Sequence, residues 1–517
     1  MFWIIGLAIC KQIVMFKHNK NHDKNIYSMA QSEIFNKLNV DDQIHFYLLN
    51  GFVGDLTAES LEKLRNNENV AFIEEDKEIN VKYKTKETNH KERTLIKRMT
   101  AQDDPKTTLT SQVSAPWGIS RISSGTNINK KGIFRYPISS AEDVTVYVLD
   151  TGIDLSHKEF EGRAVFGANF TPSENELDEN GHGTHCAGVI GGKSVGIAKK
   201  SKLVSVKVLE KNGNGMLSSL IMGIDFVIRQ HSDKKEELNR LNSWLGDSID
   251  EFSTAKQNIL SDMINFSLPH RFENMRTQSL MTVKRPISLF KKKKCSDSKT
   301  PLIFEKERKK NLKEKPLYED DFPKRKRVEL VFDKFMKSKL PLTLKKDEVI
   351  PKTIVNMSVG GLKSRVLDYA LKYATDIGIH FSVAAGNDHE NACKFSPSSS
   401  NMVLTAGAST KKDTVAFFSN YGKCVDLYAP GVEIESAWIK NQYKLVSGTS
   451  MAAPHVTGAM ALYLGEKNYT PAELQNLIKE DSYRVIREKQ QSKEEYNLVS
   501  IRKLLREIHE IEKERNS

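Results

Sequence analysis

The sequence predicts an α/β fold in which a parallel β-sheet is covered by helices on both faces. A small α+β domain precedes it, and a long basic segment interrupts it. Apolar runs such as residues 144–149 are continuous, which is typical of strands buried on both faces of a parallel sheet. These runs alternate with Gly-rich turns and helical patterns. The alternation stops between residues 231 and 350 and resumes at residue 353, so the three-layer domain is predicted from two separated parts of the chain.

Length and composition limit the class of protein. The 517 residues exceed the usual length of one domain, so several structural units are expected. With 39% hydrophobic and 28% charged residues, the chain is neither wholly disordered nor fibrous. Its five cysteines are too few for a disulfide-built scaffold and lack the paired spacing of a zinc site.

The net charge of +12 is unevenly distributed along the chain. Residues 231–350 contain 28 Lys and Arg against 19 Asp and Glu, a net charge of +9, which leaves only +3 for the rest. The basic character therefore belongs to one segment and says little about the remainder of the protein.

The first ten residues form a short apolar run that resembles the hydrophobic region of a signal peptide. Ala8 and Cys10 are small residues at a plausible cleavage point. The run is too short to cross a bilayer as a helix, so we expect no membrane span. No Lys or Arg precedes it, and the alternative is a buried N-terminal strand. We expect residues 1–10 to be a signal peptide that directs the chain into the secretory pathway.

Residues 32–83 alternate between strand and helix patterns and are predicted to form the small α+β domain. Thr57 is expected to cap a short amphipathic helix that ends at Asn66 and Asn67. Residues 84–114 are polar with clustered charges, which indicates an exposed linker that proteases can cut.

The α/β domain is predicted to comprise residues 115–230 and 353–480. Residues 231–350 between them form a lysine-rich insertion. Apolar residues at helical spacing near its start predict one amphipathic helix, and the rest is expected to be mostly disordered. Residues 481–517 are expected to form a charged helical extension.

Three residues stand out chemically: Asp150 at the end of a buried strand, His182 in a Gly-rich turn, and Ser450 before a small-residue helix. A serine hydroxyl needs an imidazole to take its proton, and a carboxylate must hold that imidazole in the right tautomer. Asp, His and Ser supply that set. Read singly, such an Asp or Ser is more often a helix-capping or turn residue. His182 and His185 offer a possible metal pair, but no third ligand lies at usable spacing.

The segments around these residues resemble the subtilisin family of serine proteases, and within it the branch of proteinase K and vacuolar proteinase B. The segments that carry the resemblance cover most of residues 115–227 and 353–464; they are APWGISRISS, VLDTGID, NGHGTHCAGVIG, KNGNGMLSSLIMGIDFV, NMSVGG, AAGN, FSNYGKCVDLYAPG and GTSMAAPHV. The resemblance implies a subtilisin-like fold and an Asp150–His182–Ser450 triad that hydrolyses peptide bonds through an acyl-enzyme. It also makes the Asn387 amide an oxyanion donor.

Substrate binding is implied by the same resemblance. Two segments are similar to the family strands that hold an extended peptide by main-chain hydrogen bonds. The implied substrate-binding residues are Gly213, Asn214, Gly215, Ser358, Val359, Gly360, Gly361, Ala384 and Gly386. No acidic residue lies in the segment SVGGLKS, and residues 182–185 read HGTH where the proprotein-processing branch has HGTR. Both features favour broad or hydrophobic specificity over a requirement for Arg or Lys.

The stretch FVGDLTAESLEKLRNNENVAFIEEDKEINV resembles the inhibitory propeptide of the family. Such a domain packs on the protease, and its tail occupies the cleft until it is cut. We therefore expect a zymogen that cleaves itself between Val81 and Ala115. Asn169 and Asn468 lie in glycosylation sequences, which fits a secretory route to the cell surface, the vacuole or the outside.

The resemblance also assigns cysteines and a metal site. Cys393 and Cys424 match positions that form a disulfide in relatives, which would require an oxidising compartment. Cys186 resembles a free thiol near the imidazole, with a small buried core residue as the alternative reading. Val403 and Asp426 stand where relatives hold a structural calcium ion, and Asn401 replaces a proline of that pattern. The chemistry itself requires no cofactor.

The expected partners are polypeptide substrates and the chain's own propeptide, and the protein is expected to be a monomer that does not bind nucleic acid. A second hypothesis is a catalytically inactive, subtilisin-like scaffold or adhesive protein that holds acidic polymers with the basic insertion.

Overall fold

The computed structural model describes residues 11–17, 44–46, 48–85, 108–124, 132–245, 350–489 and 492–516. The predicted signal segment, much of the linker and residues 246–349 of the insertion lie outside the described residues. Within the described ranges, no helix is both long and apolar enough to cross a membrane.

The N-terminal domain is an antiparallel sheet with one helix. Its elements are β1 (Gln12–Phe16), β2 (Ile44–Phe46), β3 (Gly51–Gly54), α1 (Ala58–Arg65) and β4 (Val70–Glu75), with strand order β2-β3-β1-β4. As predicted, Thr57 caps α1 by accepting a hydrogen bond from the Ser60 amide at 3.1 Å. The sheet includes β1, which precedes the start at residue 32 that the sequence analysis gave this domain.

The two faces of this small sheet bury different partners. On one face Phe52 and Leu64 form a core with α1. On the other, Ile13 and Phe46 join the core of the larger domain. The continuous apolar run of β1 therefore serves both contacts, because successive side chains point to opposite faces of a strand.

The remaining elements follow in chain order. The strands are β5 (Glu78–Asn80), β6 (Lys84–Thr85), β7 (Leu109–Gln112), β8 (Phe134–Pro137), β9 (Thr145–Asp150), β10 (Ala164–Asn169), β11 (Lys202–Lys207), β12 (Asn214–Met216), β13 (Thr353–Met357), β14 (Gly361–Leu362), β15 (His380–Ala384), β16 (Phe395–Ser396), β17 (Leu404–Ser409), β18 (Leu427–Pro430), β19 (Ile434–Trp438), β20 (Gln442–Ser447), β21 (Tyr483–Lys489) and β22 (Ser492–Leu498). The helices are α2 (Trp117–Ser124), α3 (His182–Gly191), α4 (Leu217–Leu245), α5 (Arg365–Asp376), α6 (Thr449–Glu466), α7 (Pro471–Asp481) and α8 (Arg502–Asn516), with a 3-10 turn at Ala392–Lys394.

The centre of the large domain is a nine-stranded sheet with the order β10-β11-β9-β13-β15-β17-β18-β22-β21. All neighbouring pairs are parallel except β21 and β22. Helices α3 and α6 pack in one apolar core with residues from the sheet, and α4 and α5 pack in a second. The α/β prediction with helices on both faces is confirmed.

Three elements differ from the sequence expectation. Helix α4 runs without a break past residue 230 to Leu245, because Leu238 on its apolar stripe is buried. Strand β7 falls inside the predicted linker and pairs with β8. Residues of the predicted helical extension form the β21–β22 hairpin, which adds to the edge of the main sheet before α8 begins.

Candidate active site

The carboxylate of Asp150 and the imidazole of His182 are in direct contact. His182 Nδ1 lies 2.8 Å from Asp150 Oδ1 and 3.0 Å from Oδ2, and both side chains are fully buried. Asp150 is the last residue of β9 at the carboxyl edge of the sheet, and His182 is the first residue of α3. Ligand and reaction sites of parallel sheets gather at this edge.

Two glycines allow this approach. Gly183 packs so close to the loop after β9 that a Cβ there would lie 2.1 Å from the Gly152 carbonyl oxygen. Gly181 has φ +103°, a left-handed conformation that disfavours other residues. The buried Asp178 carboxylate accepts hydrogen bonds from the amides of Gly181 and Thr184 at 2.9 and 3.0 Å, which fixes the start of α3.

The surroundings of His182 favour its protonated form. Burial alone would lower the pKa of His182, but the nearby Asp150 carboxylate and Cys186 together raise it well above the ordinary value. The pair is therefore built to stabilise an imidazolium, which is the state a general base reaches after it takes a proton.

Ser450 lies in the first turn of α6 and is almost completely buried. Its Oγ donates a hydrogen bond to the Ser358 carbonyl at 3.1 Å. His182 Nε2 is buried without a hydrogen-bond partner within the described residues. The predicted hydroxyl–imidazole hydrogen bond is thus not formed in this structure, although the carboxylate–imidazole contact is.

The Asn387 side chain is held in place and points one donor into the cleft. Its Oδ1 accepts hydrogen bonds from the Thr449 amide and hydroxyl at 2.8 and 3.0 Å. Its Nδ2 donates to the main-chain carbonyl of Lys82. Gly448 lies between that carbonyl oxygen and Ser450. A Cβ added to Gly448 would be 3.4 Å from the Lys82 oxygen and 3.7 Å from the Ser450 amide nitrogen. The Lys82 carbonyl therefore lies beside both the amide donor and the serine.

The chain from Glu78 to Thr85 crosses this cleft in an extended conformation. On one side β5 pairs antiparallel with β12, and Val81 donates to the Gly213 carbonyl at 3.0 Å. On the other side Asn80 and Gly360 exchange two main-chain hydrogen bonds of 3.0 and 3.1 Å. Beyond Tyr83 the chain continues as β6, paired with β20. One peptide thus contacts both walls before residue 82 and pairs with β20 after it.

The side chains of this peptide contact different parts of the cleft. Ile79 is buried in the apolar core of the large domain. The Tyr83 ring lies 5.0 Å from the His182 ring, and its hydroxyl donates to Asn180 Oδ1 at 3.1 Å. The ammonium of Lys84 lies 4.6 Å from the centre of the exposed Phe417 ring.

A cavity of about 180 Å³ opens beside Lys82. Its lining residues include Ser358, Leu362, Ala384, Asp388, Phe395 and Ser450. All nine residues predicted to bind substrate lie along the crossing peptide or around this cavity. Sequence patterns did not point to Asn180, Asp388 or Phe417. Asp388 could have been found, because it directly follows Asn387.

The cysteines and His185 occupy structural positions near the site. Cys393 and Cys424 form a disulfide, in agreement with the pairing implied by the resemblance. Cys186 is a buried free thiol 3.9 Å from His182 Nδ1, and it donates to the Ser450 carbonyl at 3.4 Å. His185 Nε2 lies 3.0 Å from the Ile434 carbonyl oxygen, and burial lowers the pKa of His185 to about 3.

The implied calcium residues fit a divalent cation poorly. Asp426 Oδ2 accepts a hydrogen bond from the Thr405 amide at 2.8 Å, and Oδ1 lies 3.5 Å from the Lys479 ammonium. The other implied ligand, the main-chain carbonyl of Val403, carries no charge. Calcium prefers six to eight oxygen ligands. Of the two implied ligands, only Asp426 brings a carboxylate, and that carboxylate already faces the Lys479 ammonium.

Comparisons with known proteins assign the class. The model of the Subtilase family matches residues 141–236 and 348–499, and the Peptidase inhibitor I9 model matches residues 12–82. The chain belongs to the subtilase family and is a serine endopeptidase with an N-terminal inhibitor-type propeptide. The inhibitor match ends at Lys82, the residue whose carbonyl Asn387 binds.

Its relatives include fungal proteases and a protein of Encephalitozoon cuniculi named "Putative subtilisin-like proteinase 1". That protein is 36% identical over 92% of this chain and 88% of its own length. Cerevisin of Saccharomyces cerevisiae is 28% identical over 88% of this chain and 53% of its own length. A solved structure described as a cold adapted subtilisin-like serine proteinase is 28% identical, covers 75% of this chain and 98% of its own, and has a TM-score of 0.47.

Proposed function

We propose that Asp150, His182 and Ser450 act as the catalytic triad of this endopeptidase and that the chain cuts itself between Lys82 and Tyr83. The position of that bond is the observation that carries the proposal. Its carbonyl oxygen is bound by Asn387, and the ring of the residue on its other side lies against His182. This is the placement expected of a substrate before cleavage.

The reaction follows from these contacts. After rotation away from the Ser358 carbonyl, Ser450 Oγ attacks the carbonyl carbon of Lys82 and gives its proton to His182 Nε2. Asp150 holds the opposite ring nitrogen and stabilises the imidazolium. The oxyanion that forms on Lys82 is bound by Asn387.

Breakdown of this intermediate completes the cleavage. His182 passes the proton to the Tyr83 nitrogen, the C–N bond breaks, and an acyl-enzyme remains on Ser450. Water then enters and loses a proton to His182 while its oxygen bonds to the acyl carbon. The bond to Ser450 Oγ breaks, His182 returns the proton to Oγ, and the Lys82 carboxylate is released. The same steps apply to any peptide bound in extended form between residues 213–216 and 358–361.

The N-terminal domain is proposed to inhibit the enzyme after this cut, because the segment before Lys82 keeps its main-chain bonds to both walls of the cleft. Main-chain recognition supports broad specificity. The hydrophobic preference predicted from the sequence is assigned to the fourth residue before the cut, since Ile79 is buried there.

The compartment proposed is the secretory pathway. The Cys393–Cys424 disulfide supports this, since such bonds persist in oxidising compartments. The apolar run at residues 1–10 supports it from the sequence. The chain is proposed to reach the vacuole, the cell surface or the outside.

Labelling with a fluorophosphonate probe tests the assignment of the nucleophile. The mature enzyme should be labelled, and peptide mapping should place the adduct on Ser450. Ser450→Ala should abolish both labelling and peptide cleavage, whereas Ser156→Ala, at an exposed serine outside the cleft, should retain them. An adduct on another serine, or a fully active Ser450→Ala enzyme, contradicts the proposal.

A further inference from the structure

We propose that Asp388 makes this protease prefer lysine immediately before the cleaved bond. The inference rests on the proposed function and names its substrate class. Residues 182–185 and 358–364 predict no basic preference, but neither segment includes the residue after Asn387.

The central observation is an ion pair across the cleft. Lys82 Nζ lies 2.6 Å from Asp388 Oδ1. Lys82 is the residue whose carbonyl oxygen is bound by Asn387, so its side chain occupies the position immediately before the cut. Asp388 is thus the carboxylate that contacts the substrate side chain nearest to the reacting bond.

The backbone holds Asp388 in place. Its amide donates to Asn420 Oδ1 at 3.0 Å. The main-chain amide of Glu390 donates to the same oxygen at 2.9 Å. Asp388 also follows directly after Asn387, whose side chain is anchored to Thr449. These bonds fix the main chain of Asp388 relative to the oxyanion donor through residues of the protease and not of the propeptide.

The cavity beside Lys82 suits a long side chain with an apolar stem and a cationic end. Leu362, Ala384 and Phe395 supply apolar lining, and Asp388 supplies the negative charge. Lysine side chains commonly bury their methylene stem and leave the ammonium at the edge of such a surface.

The other nearby acidic groups do not provide this charge in the mature enzyme. Glu78 lines the cavity but belongs to the propeptide and leaves with it. Glu390 is paired with Lys394 at 2.6 Å. Among the described residues that line this cavity, Asp388 is therefore the one acidic residue that stays with the protease.

The exposed position of the pair limits the size of the effect. The Lys82 side chain is 56% exposed and that of Asp388 is 34% exposed. Ion pairs in such settings are weak and are screened by salt. The preference is accordingly expected to be graded, with lysine favoured over a neutral residue of similar length by roughly two- to fivefold.

The experiment compares peptides that copy the propeptide tail, Glu-Ile-Asn-Val-X-Tyr-Lys, with X as lysine, norleucine or glutamate. Mature wild-type enzyme should give a lysine-to-norleucine ratio of kcat/KM above one. Asp388→Asn should lower that ratio about two- to fivefold and improve the glutamate peptide. Glu390→Gln, the matched control, should leave the ratio unchanged. In the wild type, 0.5 M salt should lower the ratio as well.

The ratio is internal to each enzyme preparation, so losses of active protein cancel. If Asp388→Asn leaves the ratio at its wild-type value while the norleucine peptide is turned over, the inference is overturned and the proposed function stands. If wild-type enzyme cleaves none of the peptides, the proposed function fails and the inference fails with it. If Asp388→Asn does not fold, a wild-type ratio that is insensitive to salt overturns the inference.

Discussion

The His182 ring is held firmly on one side and unpartnered on the other. Nδ1 contacts the buried Asp150 carboxylate, whereas Nε2 has no hydrogen-bond partner among the described residues, because Ser450 Oγ donates to the Ser358 carbonyl. A buried polar atom without a partner costs about 1–3 kcal/mol. The structure keeps this atom available for a proton, which is what a base beside a bound, uncut peptide requires.

Replacement of Asp150 by asparagine tests this arrangement. The amide keeps the shape but cannot stabilise an imidazolium, so kcat should fall by about four orders of magnitude, the size of the loss for the same change in another serine-protease triad. Asp150 raises the pKa of His182, so the wild type should lose activity as the pH falls. The midpoint of this loss should lie above the ordinary pKa of a histidine. In Asp150→Asn that fall should shift to lower pH.

Steady-state pH profiles of both enzymes check the prediction. A variant that retains more than a tenth of wild-type kcat would show that the Asp150–His182 contact is structural. An acid limb at the same pH in both enzymes would show that another group controls it.

At the scale of elements, two propeptide carboxylates contact the starts of protease helices. Asp76 accepts hydrogen bonds from the Ser218 amide and hydroxyl at 2.8 and 2.6 Å, in the first turn of α4. Glu74 accepts from the Ser364 hydroxyl and the Arg365 amide, both at 2.7 Å, at the start of α5. Carboxylates are stabilising there, because the first amides of a helix lack partners and its dipole is positive.

Loss of one such contact should weaken inhibition without harming catalysis. Asp76→Ala removes two hydrogen bonds at a buried site, which is worth about 1–2 kcal/mol and corresponds to roughly 5- to 30-fold faster release of the cut propeptide. The rate at which activity appears after dilution of the cut complex measures the release. Asp55→Ala, at an exposed acid of the same domain, is the control. Equal release rates for Asp76→Ala and the wild type would remove this contact from the inhibitory interface.

At the scale of the whole molecule, the net positive charge and the proposed catalytic residues lie in different segments of the sequence. Residues 250–346 contain 25 Lys and Arg against 13 Asp and Glu, so their net charge of +12 equals that of the entire chain. The insertion is joined to the large domain where His231 Nδ1 lies 3.0 Å from Thr353 Oγ1. From there α4 extends 14 residues to Leu245, roughly 21 Å along its axis.

Deletion of residues 250–346, with a 12-residue Gly/Ser linker in their place, discriminates the two functions considered for this protein. Peptide cleavage should stay within about twofold of wild type, since a surface loop changes stability only weakly with its length. Retention on heparin should fall, because the remaining chain has no net charge. Loss of proteolysis would place the insertion in the catalytic domain proper, and unchanged heparin retention would contradict the polyanion-binding scaffold.

The features predicted best were those encoded by neighbouring residues. The buried strand that ends at Asp150 and the capped helix after Thr57 both depend on patterns within about ten residues. The resemblance supplied the disulfide between Cys393 and Cys424 and the residues that line the cleft. Local patterns and motifs therefore predict the strands of the sheet, the Thr57 helix cap and the residues that line the cleft.

The features missed depend on contacts between distant segments. Asp388 and Lys82 are 306 residues apart in the sequence, and no pattern near either residue predicts their ion pair. The charged sequence of β21 and β22 predicts a helix, but the two strands form a hairpin at the edge of the main sheet. Strand β1 has no separate signal in the sequence, because only Lys11 and Gln12 divide its apolar residues from the apolar run at the N-terminus.

Self-cleavage by the triad is tested most directly by the N-terminal residue of the mature enzyme, determined by intact mass and sequencing after expression of the full chain. The mature chain should begin at Tyr83, and the Ser450→Ala protein should remain joined through the bond between Lys82 and Tyr83. A first cut at another bond, or the same Tyr83 terminus from purified Ser450→Ala protein, would contradict it.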